Sequence, residues 1–478
     1  MRIFRKEGNA VELIAFPEEH VEIGDYLVIE DRRLGRSLLV QVLDVQYTNI
    51  PGVFEDLLRN GIVDESLNGR DVDPLGVSSQ IAVLKDTMLL ACRIRGTGRK
   101  GAFIPWGSFL PSRNSSIIKQ FQVESALFEK ADHPIEIGNT NAAPLHISAK
   151  DLDGKLNIIA GRKGTGKSHL AKILMLGLIE HRAPCFVFDI NGEYVGLGKR
   201  KNSEENAYAD KLKILTPRQT LRFSLRSLGL TAVLNMLSHA LELPWNSVRV
   251  FINIWNDLLQ KGRLDLVSLR DAIQGYRCHE TVRDAIASRY STMLDSRLLT
   301  DNANEVTDLL DIIRSLKEGG AVIVNLKDQP AIHRRMVVEL LLSKLWEFLY
   351  LKKVRAMFLF AEEAHLYLRE TYWDDIVTRM RHIGFFATFI TNQPDTIQES
   401  IYRQADNLFI FNFLNDKDLE MISRSAKIDS ASVKQIVREI PPHHCLVLGD
   451  VVHNFPIVAE TRDLDVETMG RTRFFFQD

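Results

Sequence analysis

The stretch GRKGTGKS, residues Gly161–Ser168, decides the fold because it matches the phosphate-loop pattern G-x-x-x-x-G-K-[ST]. Its glycines let the backbone curl so that successive N–H groups point at phosphate oxygens. The lysine reaches the β and γ phosphates, and the serine hydroxyl ligates Mg²⁺. We therefore predict an ATP and Mg²⁺ site formed by Gly161, Arg162, Lys163, Gly164, Thr165, Gly166, Lys167, Ser168 and His169.

The flanking sequence supplies the context that this loop requires. A short apolar strand, KLNIIAG, precedes the loop, and a helix, HLAKILMLGLIEH, follows it. A helix in that position points the positive end of its dipole at the bound anion. Further strands follow at Cys185–Ile190 and at KLKIL. This strand–helix–strand rhythm predicts a parallel sheet with helices on both faces, an α/β fold.

A second apolar strand, RAMFLFAEE (Arg355–Glu363), ends in two adjacent carboxylates. Carboxylates are rarely buried without a partner. A phosphate-loop ATPase needs an acidic strand end beside the phosphates, with one carboxylate on the Mg²⁺ shell and another on the attacking water. We assign Glu362 to the metal shell and Glu363 to the water. The alternative is a solvated strand end with two surface glutamates.

The remaining sequence predicts four consecutive regions. Short strands such as Val21–Asp31 and Arg36–Tyr47 indicate a small β-barrel, with a helical insertion at Pro51–Gly61. Residues 230–318 are poor in strands and rich in helix formers. The predicted domains are an N-terminal β-barrel (1–115), the first part of the ATPase core (116–230), an inserted helical subdomain (231–320), and the second part of the core with a C-terminal hairpin and tail (321–478).

Composition limits the class of protein. The 478 residues are 45% apolar and 26% charged, with a net charge of -2, so DNA contact would need a local basic patch or a lined channel. The four cysteines are not at metal-ligand spacing, which fits a reducing compartment. The N-terminus lacks a signal-peptide core, and charges interrupt the longest apolar helix, which begins at Val337. We expect a cytoplasmic protein without a membrane span.

Four motifs in order resemble the HerA branch of the HerA–FtsK DNA-pumping ATPases. They are GRKGTGKS, then FDINGEY (Phe188–Tyr194), EEAH (Glu362–His365) and RHIGFFATFITNQP (Arg381–Pro394). The resemblance covers nearly the whole chain and implies a RecA-like P-loop ATPase core behind an N-terminal barrel. The chain departs from the family at Asn392-Gln393-Pro394, where Gln-Arg-Pro is usual, and at Met380-Arg381-His382, where Gly-Arg-Lys is frequent.

The resemblance also implies roles for residues beyond the phosphate loop. Asn392 is the sensor that contacts the γ-phosphate or the attacking water. Arg381 is the favoured arginine finger that reaches the nucleotide of a neighbouring subunit, with Arg379 and Arg403 as the other candidates. The ordinary alternative for each arginine is a surface salt bridge. Asp189 and Glu193 flank the phosphate site, either to orient water or a pore loop or to serve as a cap and salt bridge.

Two basic loops are candidates for DNA contact. The loop GKRKNSEENA carries Lys199, Arg200 and Lys201, which in a ring ATPase could face the central pore and grip DNA phosphates. The loop RIRGTGRKG (Arg93–Gly101) lies on the predicted barrel and could contact DNA or a partner. The alternative for both is a solvated loop.

These observations favour a homo-hexameric, Mg-ATP-driven translocase or helicase motor on double-stranded DNA. Such motors work with a separate nuclease or other effector, here expected to dock on the barrel, in DNA-end processing or anti-phage defence. One alternative is an ATP-dependent assembly scaffold or signalling ATPase that presents an effector. Another is a ring acting on RNA, or a rotary ATPase subunit. It ranks lower because the N-terminal aromatic residues do not cluster as a stacking platform.

Overall fold

The computed structural model describes residues 1–47, 86–99, 102–104, 107–122, 132–141, 143–366, 378–379, 381–426 and 428–468. The helix predicted at Pro51–Gly61 lies outside these residues. Contacts divide the chain into two units. The sheet unit comprises Met1–Ala131, Gly138–His146 and Asn412–Glu460, and the core unit comprises Asp132–Ile137, Ile147–Phe411 and Thr461–Asp478. The four consecutive domain ranges stay a prediction.

The strands, in chain order, are β1 Arg2–Glu7, β2 Ala10–Ala15, β3 Tyr26–Asp31, β4 Arg36–Tyr47, β5 Met88–Arg99, β6 Ala102–Ile104, β7 Ser116–Gln120, β8 Pro134–Asn139, β9 Pro144–Ser148, β10 Leu156–Ala160, β11 Pro184–Asp189, β12 Leu212–Leu215, β13 Gly320–Asn325, β14 Met357–Ala361, β15 Phe385–Thr391, β16 Asn407–Ile410, β17 His444–Gly449 and β18 Ile457–Thr461.

The α-helices whose bounds lie wholly within the described residues are α1 Lys167–Glu180, α2 Leu225–Asn235, α3 Trp245–Gln260, α4 Leu266–Gly275, α5 Glu280–Asp295, α6 Leu309–Ser315, α7 Ala331–Tyr350, α8 Glu399–Arg403, α9 Asp416–Ser425 and α10 Ser430–Glu439. No described helix is long and apolar enough to cross a membrane.

In the sheet unit, the N-terminal strands form one antiparallel sheet in the order β1-β2-β5-β4-β3-β7, with β6 paired to β5. Side chains alternate across such a sheet, and one face packs an aliphatic core that includes Val11, Leu13, Leu27 and Val40. The β-rich reading of this segment is confirmed, whereas closure into a barrel stays a prediction. The C-terminal hairpin is present as the antiparallel pair β17–β18.

The core unit is built on a parallel sheet in the order β12-β13-β11-β14-β15-β10-β16. Strands β10, β14 and β15 are buried along their whole length, because helices cover both faces of a parallel sheet. The α/β core predicted from the sequence is confirmed. Helices α2–α6 lie between β12 and β13; α3–α6 fall within the region 230–318 predicted to be helical, and α2 begins before it, at Leu225.

The strand order determines which loops meet. Strand β15 lies between β10 and β14, and β11 pairs with the other side of β14. Since parallel strands end on the same side, the segments that follow these strands converge at one edge of the sheet. We call this edge, formed by the ends of β10, β11, β14 and β15, the carboxyl edge.

Candidate nucleotide and magnesium site

The phosphate loop follows β10 and requires glycine at three positions. Gly164 and Gly166 have φ values of +81° and +115°, which disfavour any side chain. A Cβ atom on Gly161 would lie 2.5 Å from the Cβ of Phe411, so only glycine allows this close approach. The sequence therefore adopts the curled backbone that directs N–H groups outward toward an anion.

The loop's cations differ in their surroundings. Lys167 is buried at the first turn of α1, and its Nζ donates to the carbonyl oxygen of Arg162 at 2.8 Å. Burial lowers the pKa of Lys167, while the charges of the nearby glutamates oppose that shift. Arg162 and Lys163 are exposed at the loop. The His169 Nε2 lies 2.7 Å from the carbonyl oxygen of Arg462, so this ring contacts backbone.

Glu362 follows β14 and is almost completely buried. The Ser168 hydroxyl donates to Glu362 Oε2 at 3.2 Å, and the Tyr194 hydroxyl donates to Oε1 at 2.5 Å. Burial raises the pKa of Glu362 to about 8. Burial also raises the pKa of Tyr194, further increased by the neighbouring carboxylate. A hydroxyl beside a desolvated carboxylate is an oxygen donor set of the kind that Mg²⁺ prefers, so these residues fit the predicted metal shell.

Glu363 is held in an unusual conformation beside the same site. Its φ is +48°, in the left-handed region that non-glycine residues rarely occupy. Its Oε2 is buried and accepts no hydrogen bond from a described residue, although His365 Nδ1 lies 3.5 Å away. Burial raises the pKa of Glu363, and the charge of Lys167 opposes that shift. A buried carboxylate oxygen left unbonded is suited to accept from a water molecule.

Asn392 follows β15 and completes the carboxyl edge. Its Nδ2 donates to Glu363 Oε1 at 3.5 Å, a long contact. Its Oδ1 is buried and unbonded among the described residues. The structure thus places Asn392 against Glu363, and Glu362 against Ser168 of the phosphate loop. All four come from the loops that the strand order brings together.

The segment after β11 forms a tight turn, Asp189–Tyr194. The Asp189 carboxylate accepts the N–H groups of Glu193 and Tyr194, each at 2.9 Å, and Gly192 takes a φ of +69°. Burial raises the pKa of Asp189, and those two N–H bonds oppose the shift. Asp189 therefore shapes the turn, which is the capping alternative for this residue. Glu193 accepts from Lys172 Nζ at 3.2 Å, a salt bridge.

Sequence reasoning missed two residues of this site. Tyr194 is fully buried against Glu362, and Lys172 is buried on α1. Lys172 Nζ also lies 5.3 Å from the centre of the Tyr194 ring. A usable signal was present, because Lys172 is a charged residue within the otherwise apolar stretch LAKILMLGLI.

The arginine-finger candidates lie in local contacts of the single chain. Arg381 Nη2 donates to Asp406 Oδ2 at 2.7 Å. Arg403 pairs with Glu399 one helical turn away, also at 2.7 Å. Arg379 is exposed. Within one chain, Arg381 and Arg403 therefore form surface salt bridges, the ordinary alternative for an arginine, and the trans role of Arg381 stays a prediction.

The loop that carries Lys199, Arg200 and Lys201 is exposed. Lys201 Nζ pairs with Asp463 at 2.5 Å, and the Arg200 N–H donates to the Glu204 carbonyl at 2.7 Å, which closes the loop. Neither the Lys199 nor the Arg200 side chain forms an ion pair with a described residue. These two side chains are therefore the more available cations of the loop.

The segment Arg93–Gly101, predicted to be a second basic loop, is instead strand as far as Arg99, the last residue of β5, and its cations are less available than the sequence suggests. Arg95 is buried and pairs with Asp429 at 3.2 Å, and Arg93 pairs with the same carboxylate at 3.4 Å. Lys100 and Gly101 lie outside the described residues. Two cations of this segment, Arg93 and Arg95, thus already form ion pairs within the sheet unit.

Comparisons with known proteins agree with this fold. Residues 135–345 match the family model "Helicase HerA, central domain". No curated protein matches the sequence significantly. The plasmid coupling protein TrwB in complex with the ATP analogue ADPNP is 14% identical over 73% of this chain and 93% of that chain, with a TM-score of 0.53. Unbound TrwBdeltaN70, a bacterial conjugative coupling protein, is 13% identical over 71% and 90%, with a TM-score of 0.50.

Proposed function

We propose that this chain, a HerA-like ATPase whose central domain spans residues 135–345, hydrolyses Mg-ATP to move double-stranded DNA. The working form would be a homo-hexameric ring in the cytoplasm. In a closed ring, each subunit would complete the nucleotide site of its neighbour. The similarity of the fold to TrwB, a coupling protein crystallised with an ATP analogue, supports nucleotide use.

The observation that carries the proposal is the pairing of the phosphate loop with two distinct carboxylates. Glu362 contacts the loop serine, whereas Glu363 keeps a buried oxygen unbonded next to Asn392. A site that only binds nucleotide does not need a carboxylate with one buried oxygen left without a hydrogen bond and a backbone in the left-handed region, both of which are costly to maintain. An enzyme that activates water at the γ-phosphate does.

In the proposed mechanism, the N–H groups of the phosphate loop and Lys167 bind the phosphates of ATP. Ser168 and Glu362 would hold Mg²⁺, which supplies charge stabilisation at the phosphates. Glu363 Oε2 orients the attacking water and accepts its proton, and Asn392 holds the other oxygen of Glu363 and senses the γ-phosphate. Arg381 of a neighbouring subunit would leave its Asp406 contact to reach the nucleotide.

The proposal is tested by measuring ATP turnover with and without duplex DNA, at matched salt. We expect duplex DNA to raise turnover, because a motor couples hydrolysis to movement along its track. Glu363→Gln should remove both the basal and the stimulated rate. An ATPase whose turnover is indifferent to duplex DNA would reject the motor.

A second function is favoured by one observation and is kept as the alternative. Of the predicted DNA-gripping cations, Lys201 is paired with Asp463, and the whole chain carries a net charge of -2. Weak basic character suits an ATP-dependent scaffold or signalling ATPase that assembles and presents an effector. In that case ATP binding alone would drive assembly, and DNA would leave turnover unchanged.

We also propose that a separate nuclease or other effector docks on the N-terminal sheet, in DNA-end processing or defence against phage. Four large apolar side chains of this sheet region are exposed: Leu34, Tyr47, Ile104 and Leu110. Exposed apolar side chains that form a contiguous patch mark protein contacts, so these four are the residues to test. Truncation is a poor test, because Arg93 and Arg95 also pair with Asp429 of the C-terminal segment. Leu34→Glu with Leu110→Glu should abolish capture of the partner and spare ATP turnover. Retained capture would move the docking surface to the core unit.

A further inference from the structure

Tyr194 lies at the candidate metal site, and the sequence predicted no role for it. Its side chain is completely buried, and its hydroxyl donates to Glu362 Oε1 at 2.5 Å. The other oxygen, Oε2, accepts from Ser168. One carboxylate is thus held between two hydroxyl groups from different segments, which fixes the plane of the carboxylate relative to the phosphate loop.

The tyrosine is itself supported by two residues, Asp189 at its backbone and Lys172 at its ring. Asp189 accepts the backbone N–H groups of Glu193 and Tyr194, which fixes the turn. Lys172 donates to Glu193 at 3.2 Å and lies 5.3 Å from the centre of the tyrosine ring. Lys172 is on the same helix as Lys167 and Ser168, so α1 positions both the phosphate-binding side chains and the support of Tyr194. A functional group placed this accurately needs a rigid supporting layer of this kind.

We propose that Tyr194 is the positioning residue for the metal site: its hydroxyl orients Glu362 so that Oε2 and Ser168 together can hold Mg²⁺. This inference rests on the proposed function, since it requires a Mg-nucleotide site. It differs from a packing role for the ring, because the hydrogen bond to Glu362 comes from the hydroxyl group. Hydrogen-bonded partners of metal-ligating carboxylates typically change metal affinity by 10–100-fold when removed.

The test uses Tyr194→Phe in the full chain, which removes the hydroxyl and retains the ring next to Lys172. The readout is the affinity for a fluorescent ATP analogue, titrated once with Mg²⁺ and once in EDTA. We expect Mg²⁺-dependent affinity to weaken about tenfold and affinity in EDTA to stay unchanged. Tyr290→Phe is the matched control, since Tyr290 is also buried and donates to a backbone carbonyl, that of Leu266, at 2.5 Å in the helical region.

A double-mutant cycle separates positioning from a direct effect. If Tyr194 acts through Glu362, Tyr194→Phe should add no further loss in a Glu362→Gln background. Losses that add independently would overturn the proposal. So would a Tyr194→Phe variant with normal Mg²⁺ dependence, or one that loses affinity equally in EDTA. If the wild-type protein gains no affinity from Mg²⁺, the proposed Mg-ATP site itself is wrong, which is a distinguishable result.

A second measurement covers poor folding of the phenylalanine variant. One 3-fluorotyrosine is introduced at position 194, or at position 290 as control, which keeps ring and hydroxyl. The ¹⁹F resonance at position 194 should shift when Mg²⁺ is added to the nucleotide-bound protein, and that at position 290 should not. No shift at position 194, or equal shifts at both, would overturn the role of Tyr194.

Discussion

The carboxyl edge and the loop that carries Lys199, Arg200 and Lys201 differ in where their polar and charged side chains find partners. At the carboxyl edge, the hydroxyl groups of Ser168 and Tyr194 both donate to Glu362, and all three side chains are buried or half-buried. In the loops, Lys199 and Arg200 are exposed, and Lys201 pairs with a nearby acid. Buried polar groups must find partners within the fold, whereas exposed cations find theirs in whatever binds the surface. A single chain therefore displays the hydrogen bonds of its candidate nucleotide site, whereas the proposed contacts with DNA and with a neighbouring subunit involve exposed side chains.

The largest expected effect comes from neutralising Glu363, whose Oε2 is buried without a hydrogen bond among the described residues. Glu363→Gln should reduce ATP hydrolysis by up to about 10⁴-fold, because an amide cannot accept the proton of the attacking water. Nucleotide affinity should persist, since the phosphate loop is unchanged. Glu347→Gln is the control, a half-exposed glutamate paired with Lys344 on α7. Normal turnover in Glu363→Gln would move the base to Glu362.

The next largest effect on ATP hydrolysis is expected from Arg381, which we propose acts on the nucleotide of a neighbouring subunit. Phosphoryl transfer spreads charge over the γ-phosphate oxygens, and an arginine from outside is worth about 10³-fold or more in rate. Arg381→Ala should therefore lose hydrolysis while retaining ATP binding and ring assembly. Arg424→Ala, which breaks an exposed pair with Glu420 one helical turn away on α9, is the control.

A mixing experiment decides whether Arg381 acts across subunits. Arg381→Ala and Glu363→Gln are each inactive, but hybrid rings contain interfaces where an intact Glu363 meets an intact Arg381. Those interfaces should hydrolyse ATP. Hybrid rings that form and stay inactive would leave Arg381 in its salt bridge with Asp406, and Arg379 and Arg403 would be mixed in the same way.

The loop cations predict a smaller, salt-dependent effect. Replacing Lys199, Arg200 and Lys201 by alanine should weaken duplex binding equally for all sequences. It should flatten the slope of log affinity against log salt by up to about three, close to one per phosphate contact. Because Lys201 already pairs with Asp463, Lys199→Ala with Arg200→Ala should account for about two of these. Lys261→Ala, another exposed lysine in an ion pair, is the control. An unchanged slope would place the DNA contacts elsewhere.

The smallest effect concerns the stability of the fold and the ion pairs of Asp429 with Arg93 and Arg95. Burial raises the pKa of Asp429, but bonds from Ser432 and the charges of Arg95 and Arg93 outweigh it and hold the pKa below its usual value. Asp429 also caps α10, so Asp429→Ala should cost about 1–2 kcal/mol of unfolding free energy at pH 7. Asp429→Asn retains a capping oxygen and isolates the charge.

The sign of the pH dependence follows from the lowered pKa of Asp429. The ionised carboxylate stabilises the fold above its unfolded pKa of 3.8, and this contribution is lost as pH falls through the lower folded value. Urea unfolding of the wild type and Asp429→Asn should therefore differ at pH 7 and converge below pH 4. A difference that grows on acidification would contradict the assigned ion pairs.

The sequence anticipated the features whose chemistry is local. The phosphate loop, the strand ending at Glu362–Glu363 and the buried strands of the parallel sheet were predicted, because glycine spacing and apolar runs report on backbone and burial directly. Helices α9 and α10 were not anticipated. The contacts of Tyr194 and Lys172 were also not predicted, since they join segments that are far apart in sequence. The ion pair between Arg95 and Asp429, which are 334 residues apart, could not be predicted from a stretch of basic residues.

Displacement of a triplex-forming oligonucleotide from duplex DNA tests the central claim most directly. It measures ATP-driven movement along DNA, which neither ATP binding nor hydrolysis alone can produce. The account predicts displacement by the wild-type protein that requires both ATP and Mg²⁺ and is absent with Glu363→Gln. If the wild-type protein hydrolyses ATP in the presence of the same DNA and leaves the third strand in place, the motor is contradicted and the scaffold ATPase becomes the better account.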